Sequence, residues 1–115
     1  MTTVEGLDGA ILRLLELTKQ NKIRWKVVSA EPGAAGVYAF TNGSASVQIS
    51  SRDGDGTFPF LVEMLRGTKR VESKIYDSDM RGNATAVAQA ARELFVRARN
   101  SIVGPVIDEI FEGLE

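Results

Sequence analysis

Three glycine-containing dipeptides, Asn42-Gly43, Asp53-Gly54 and Gly67-Thr68, divide residues 36–77 into four short alternating segments. Each supplies the positive φ that a two-residue hairpin turn demands, so this stretch is constrained to an antiparallel meander. Treating each dipeptide as the turn sets a register. The first turn places Tyr38 against Val47, Phe40 against Ala45 and Gly36 against Ile49. The second places Ile49 against Phe58, Val47 against Phe60 and Ala45 against Val62. The third places Met64 against Val71, Val62 against Ser73, Phe60 against Ile75 and Phe58 against Asp77. All the bulky residues then share one face, and a slip by one position would scatter them.

The opposite face is mostly polar but carries Val37, Leu61, Leu65 and Tyr76, and it sets Glu63 directly across from Glu72. Facing carboxylates repel unless cations such as Arg70 or Lys74 intervene. Pro59 lacks a ladder donor, which predicts a local break or bulge in its strand.

Helical periodicity flanks the meander. A helix from 3 to about 20, capped by Thr3, carries Val4, Leu7, Ile11, Leu14, Leu15 and Thr18 on one side, with Leu12 and Leu17 outside the stripe. KIRWKVV then alternates as a short strand with Ile23, Trp25 and Val27 on one side; residues 29–36 read as a loop. Asn83 opens a second helix to about 100, burying Val87, Ala91, Leu94, Ala98 and Ile102 with Ala90 and Phe95 beside them, while Arg92, Arg97 and Arg99 point outward. Gly104-Pro105 is expected to end or sharply bend it, because proline has no donor and restricts its predecessor. A last segment, 105–114, carries Val106, Ile107, Ile110, Phe111 and Leu114 on one side. It either completes the core or docks on a second copy or another protein.

Composition matters mainly for what it removes. The 115 residues include no cysteine and no histidine, so disulfides, thiolate metal sites and the commonest general base are all absent. A charge of −1 offers no general attraction to nucleic acid or anionic lipid. The basic group Lys19, Lys22, Arg24 and Lys26 beside Trp25 is expected to be a solvated edge. Hydrophobic residues at 43% and charged ones at 25% fit one folded domain over 1–115. The N-terminus lacks the pattern of a signal peptide and no apolar run reaches membrane-spanning length, so a cytoplasmic location is expected.

Motifs for catalysis fail one by one. RDGDGTF starts with the alternating aspartates of a calcium loop, but Thr57, Phe58 and Met64 occupy positions that need an acid, a glycine and a bidentate glutamate. Asp77 and Asp79 are read as helix caps. No nucleophile elbow, phosphate loop, dinucleotide fingerprint or zinc helix is present.

LLELTKQNKIRW, the meander and ARELFVRARNSI together resemble a loosely defined group of small uncharacterised bacterial proteins, in which a helix ending in Thr, a basic-Ile-x-Trp step and a β-meander recur. Thr18, Lys22, Ile23 and Trp25 carry the motif. The resemblance implies the same order of elements, a bacterial origin and no catalytic residue.

These observations predict an α+β domain: N-terminal helix, short strand, four-stranded antiparallel meander, then a long helix and a short C-terminal helix packed on one sheet face. The expected function is a non-catalytic protein-interaction module of accessory, adaptor or immunity type. No cofactor, metal, nucleic acid or membrane partner is expected. The candidate interfaces are Val37, Leu61, Leu65 and Tyr76 on the outer sheet face and Ile107, Ile110, Phe111 and Leu114 at the C-terminus, either of which would serve a homodimer. The alternative is a small-molecule or peptide pocket between sheet and helices near Trp25 and Tyr38.

Overall fold

The computed structural model describes residues 6–29, 35–51, 55–76 and 85–114. Helix α1 (Gly6–Lys19) is followed by strands β1 (Lys26–Ser29), β2 (Val37–Asn42), β3 (Ala45–Ser51), β4 (Phe60–Arg66) and β5 (Lys69–Ile75), then helix α2 (Thr85–Phe111). The strands form one antiparallel sheet in chain order, β1-β2-β3-β4-β5. α2 lies across its inner face and α1 packs alongside α2. The expected caps Thr3, Asn83, Asp77 and Asp79 lie outside the described residues.

The last hairpin has the register its turn predicts: Met64 opposes Val71, Val62 opposes Ser73, Phe60 opposes Ile75 and Glu63 opposes Glu72. The other two differ. Tyr38 opposes Ile49 and Phe40 opposes Val47, a shift of two residues, because Asn42 pairs with Ala45 and leaves Gly43-Ser44 as the turn. The observed turn carries its positive φ on Gly43 at the first central position, the place a type II′ turn reserves for glycine.

The middle hairpin is not a two-residue turn at Asp53-Gly54. Ile49 opposes Val62, Val47 opposes Met64 and Ser51 opposes Phe60, so β3 runs to Ser51 and β4 starts only at Phe60. Two features favour it. Pro59 offers no N–H to extend β4 backward. The buried Ser51 hydroxyl lies 3.0 Å from Asp55 Oδ1 and 2.8 Å from the Thr57 carbonyl, and accepts from the Gly56 N–H at 3.2 Å, which closes the loop on itself. Shifts of two and four residues leave every side chain on its predicted face.

α1 ends in a Schellman motif. Asn21 adopts φ 59°, its N–H donates to the Thr18 carbonyl at 3.0 Å, and the Lys22 N–H donates to the Leu17 carbonyl at 3.0 Å. This reversal aims the chain into Trp25, whose buried Nε1–H donates to the Thr18 hydroxyl at 3.1 Å. Thr18 in turn donates to the Leu14 carbonyl at 2.8 Å.

One core joins the layers. Ile11, Leu14 and Leu15 of α1 meet Leu94, Phe95 and the small residues Ala88, Ala91 and Ala98 of α2, over Tyr38, Ile49, Phe60, Val62 and Ile75 of the sheet. Phe95 stands 5.7 Å from Tyr38 and 5.3 Å from Phe60, ring to ring.

α2 corrects the expectation at Gly104-Pro105, since the helix runs through both to Phe111 without interruption. The carbonyl that Pro105 leaves without a helical donor belongs to Ser101, which is exposed to solvent. There is no separate C-terminal helix, and residues 103–114 pass beyond the core.

Candidate protein interface

Past Ile102 the helix has nothing to cover. Val103, Val106, Ile107, Ile110, Phe111 and Leu114 recur at three- and four-residue spacing as a single apolar stripe. All are exposed, Ile110 by 61% and Leu114 by 75%. The sequence places five of these on one side and nominates four of them, Ile107, Ile110, Phe111 and Leu114, as an interface; Val103 escapes it because it precedes the expected break. Asp108, Glu109 and Glu112 flank the stripe, and residues 103–114 contain no lysine or arginine. Among the described residues these three acids have no ion-pair partner.

The inner sheet face is only partly covered. The rows Tyr38–Ile49–Val62 and Ser51–Phe60–Ile75 are buried beneath α2. The row Phe40–Val47–Met64–Val71, nearer the hairpin turns, is half-buried at Phe40, Val47 and Met64 and 53% exposed at Val71. Beyond it runs Asn42–Ala45–Arg66–Lys69, whose two cations are unpaired among the described residues. A hollow of about 280 Å³ is lined by Val47, Met64, Val71, Ala45, Arg66 and Lys69 together with neighbouring residues. At the Phe40 end the row opens into a groove of about 620 Å³ whose walls include Leu17, Ile23, Lys22, Arg24 and Lys26. Sequence reasoning treated those bases as an isolated solvated edge and did not foresee the apolar row between them and Arg66.

The outer-face candidates do not gather. Ser50 separates Val37 from Leu61 in their row, and Glu63, Arg70 and Glu72 lie beside and between Leu61 and Leu65. Arg70 Nε donates to Glu63 at 2.9 Å, and its Nη2 bridges to both Glu63 and Glu72, the latter at 2.9 Å. The hydrogen bond it donates to Glu63 raises the Arg70 pKa above its ordinary value. This triad neutralises the facing carboxylates and interrupts the apolar surface with charge.

The candidate pocket is occupied by its own side chains. Trp25 is buried edge-on against Phe40, ring centroids 4.9 Å apart, and Tyr38 is buried with its hydroxyl donating to the Ala35 carbonyl at 2.7 Å. Both rings belong to the core, filling the space between sheet and helices.

Two carboxylates are tuned by ordinary contacts. Asp55 is held below the usual aspartate value, first by the Thr57 N–H at 3.1 Å and then by the Ser51 hydroxyl. Glu93 is lowered chiefly by Arg97, which donates at 2.6 Å, with Lys19 at 3.7 Å adding a smaller attraction. Among the described residues no group of three acids forms a metal-sized cluster, and no helix is long and apolar enough to cross a membrane.

No protein-family model, curated protein or solved structure matches the chain. Thr18 and Trp25 are joined by a buried hydrogen bond and Lys22 sits in the helix-ending turn, so these residues have a structural use in this fold.

Proposed function

We propose that the chain is a non-catalytic protein-interaction module, of accessory or adaptor type, that works through the protruding end of α2. One observation carries the reading: an apolar stripe from Val103 to Leu114 stands uncovered although the preceding turns of the same helix are packed into the core. Contiguous exposed apolar surface of this kind marks interaction sites on small domains. Burying six half-exposed aliphatic and aromatic side chains contributes on the order of 5 kcal/mol before the entropic cost of association is subtracted.

Site-specific photocrosslinking tests it. A photoreactive residue at Ile110 is expected to form protein adducts in cells, whereas the same residue at exposed Gln89, on the covered part of α2, forms none. Absence of adducts at Ile110 overturns the interaction reading.

A further inference from the structure

We infer that the partner of this helix end is a second copy of the chain, and that it docks on the uncovered end of the inner sheet face, along Phe40, Val47, Met64 and Val71. The inference rests on the interaction reading above and names its partner.

The two surfaces match in chemistry. The helix end presents an apolar stripe flanked by Asp108, Glu109 and Glu112 with no base. The sheet presents an apolar row bordered by Arg66 and Lys69. Both glutamates of the paired strands, Glu63 and Glu72, lie on the opposite face, so no strand carboxylate opposes an incoming acid. The dimensions match as well. Four adjacent strands place Phe40 and Val71 about 14 Å apart, and the helical residues from Val103 to Phe111 also span about 14 Å. A helix laid along this row extends the second layer that α2 begins.

The same copy cannot fill its own site. Arg92 lies 5.9 Å over the Phe58 ring, Phe95 packs edge-on against Tyr38 and at a tilt against Phe60, and Ser101 lines a cleft with Trp25 and Lys26. α2 therefore crosses the sheet toward the β1 edge and leaves it there. α2 continues as helix through Gly104 and Pro105, and the exposure of Val103, Val106, Ile107, Ile110, Phe111 and Leu114 shows that this end does not return over β3, β4 and β5. Each copy carries one acidic apolar arm and one basic apolar receptor, so two copies satisfy both contacts reciprocally in a closed two-fold pair.

Sedimentation of the full chain, with charge reversal on each surface, tests this. The wild type is expected to be a dimer that weakens as salt rises. The receptor variant Arg66→Glu/Lys69→Glu and the arm variant Glu109→Lys/Glu112→Lys should each weaken association by roughly tenfold or more. Mixed together, the two variants have complementary charges at both contacts and should regain dimerisation. The substituted side chains are exposed, and circular dichroism checks that each variant folds; Lys69→Glu with Glu112→Lys is the milder pair should either double variant fail. A monomeric wild type overturns the inference. So does a dimer indifferent to receptor reversal, or a mixture of folded variants that stays monomeric. Adducts from Ile110 to other proteins only would remove the second copy as partner while leaving the interaction reading standing.

Discussion

The two parts of α2 obey the same periodicity and meet opposite fates. From Thr85 to Ile102 its buried residues are mostly small alanines, with Leu94 and Phe95 filling the space above Tyr38 and Phe60. From Val103 to Leu114 its apolar residues are larger and all exposed. Size therefore runs against burial along a single helix. Where the helix touches its own sheet and α1, alanines permit close approach; where it leaves them, bulky residues are presented to something outside the chain. An apolar stripe in sequence reports that a surface wants cover, but not who supplies it.

The sharpest test of this contrast is truncation of equivalent residues in the two parts. Leu94→Ala removes a fully buried side chain and is expected to cost about 2–5 kcal/mol in urea unfolding. A cost near zero would mean that the first part of α2 is not the packed part. The next largest effect belongs to the link that holds α1 against the same core. Thr18→Val leaves the buried Trp25 Nε1–H without its acceptor and should cost about 1–3 kcal/mol, with a change in indole fluorescence.

Asp55 gives a smaller, pH-dependent signal from the loop that closes β3 to β4. Its folded-state pKa is below the ordinary 3.8, so its contribution to stability is present above that value and is lost as pH falls through the lowered folded value. Titration of its carboxyl resonance should show a midpoint below 3.8, and Ser51→Ala should move it upward. The smallest expected effect completes the comparison: Phe111→Ala should alter the stability of the monomeric chain by no more than about 0.5 kcal/mol. A large loss in the monomer would show that the protruding end belongs to the core after all.

Legibility varied along the chain for identifiable reasons. The β4–β5 pairing was readable because Gly67-Thr68 is its sole local turn signal and adjoins both strands. At the first hairpin Gly43 satisfies two alternative turns, and alternation of period two cannot separate registers differing by two residues. At the second, Asp53-Gly54 is a good turn dipeptide that lost to a loop built on the buried Ser51 hydroxyl, an interaction invisible until Ser51, Asp55 and Thr57 are brought together. Among the candidate interface residues, Ile107, Ile110 and Phe111 are contiguous because a helix spaces them so, and Leu114 follows in the turn that ends it. Val37, Leu61, Leu65 and Tyr76 share a face yet are parted by Ser50 and the Glu63–Arg70–Glu72 triad, which depends on cross-strand neighbours.

Sequence alone determined the order of elements as far as the start of α2 and the side of the sheet on which the residues of β2 to β5 lie, because registers that differ by an even number of residues leave every side chain on the same face. Tertiary structure alone decided which rows of that face are covered and where α2 parts from it. Cover depends on the path of a second layer across the first, and no local pattern encodes that path.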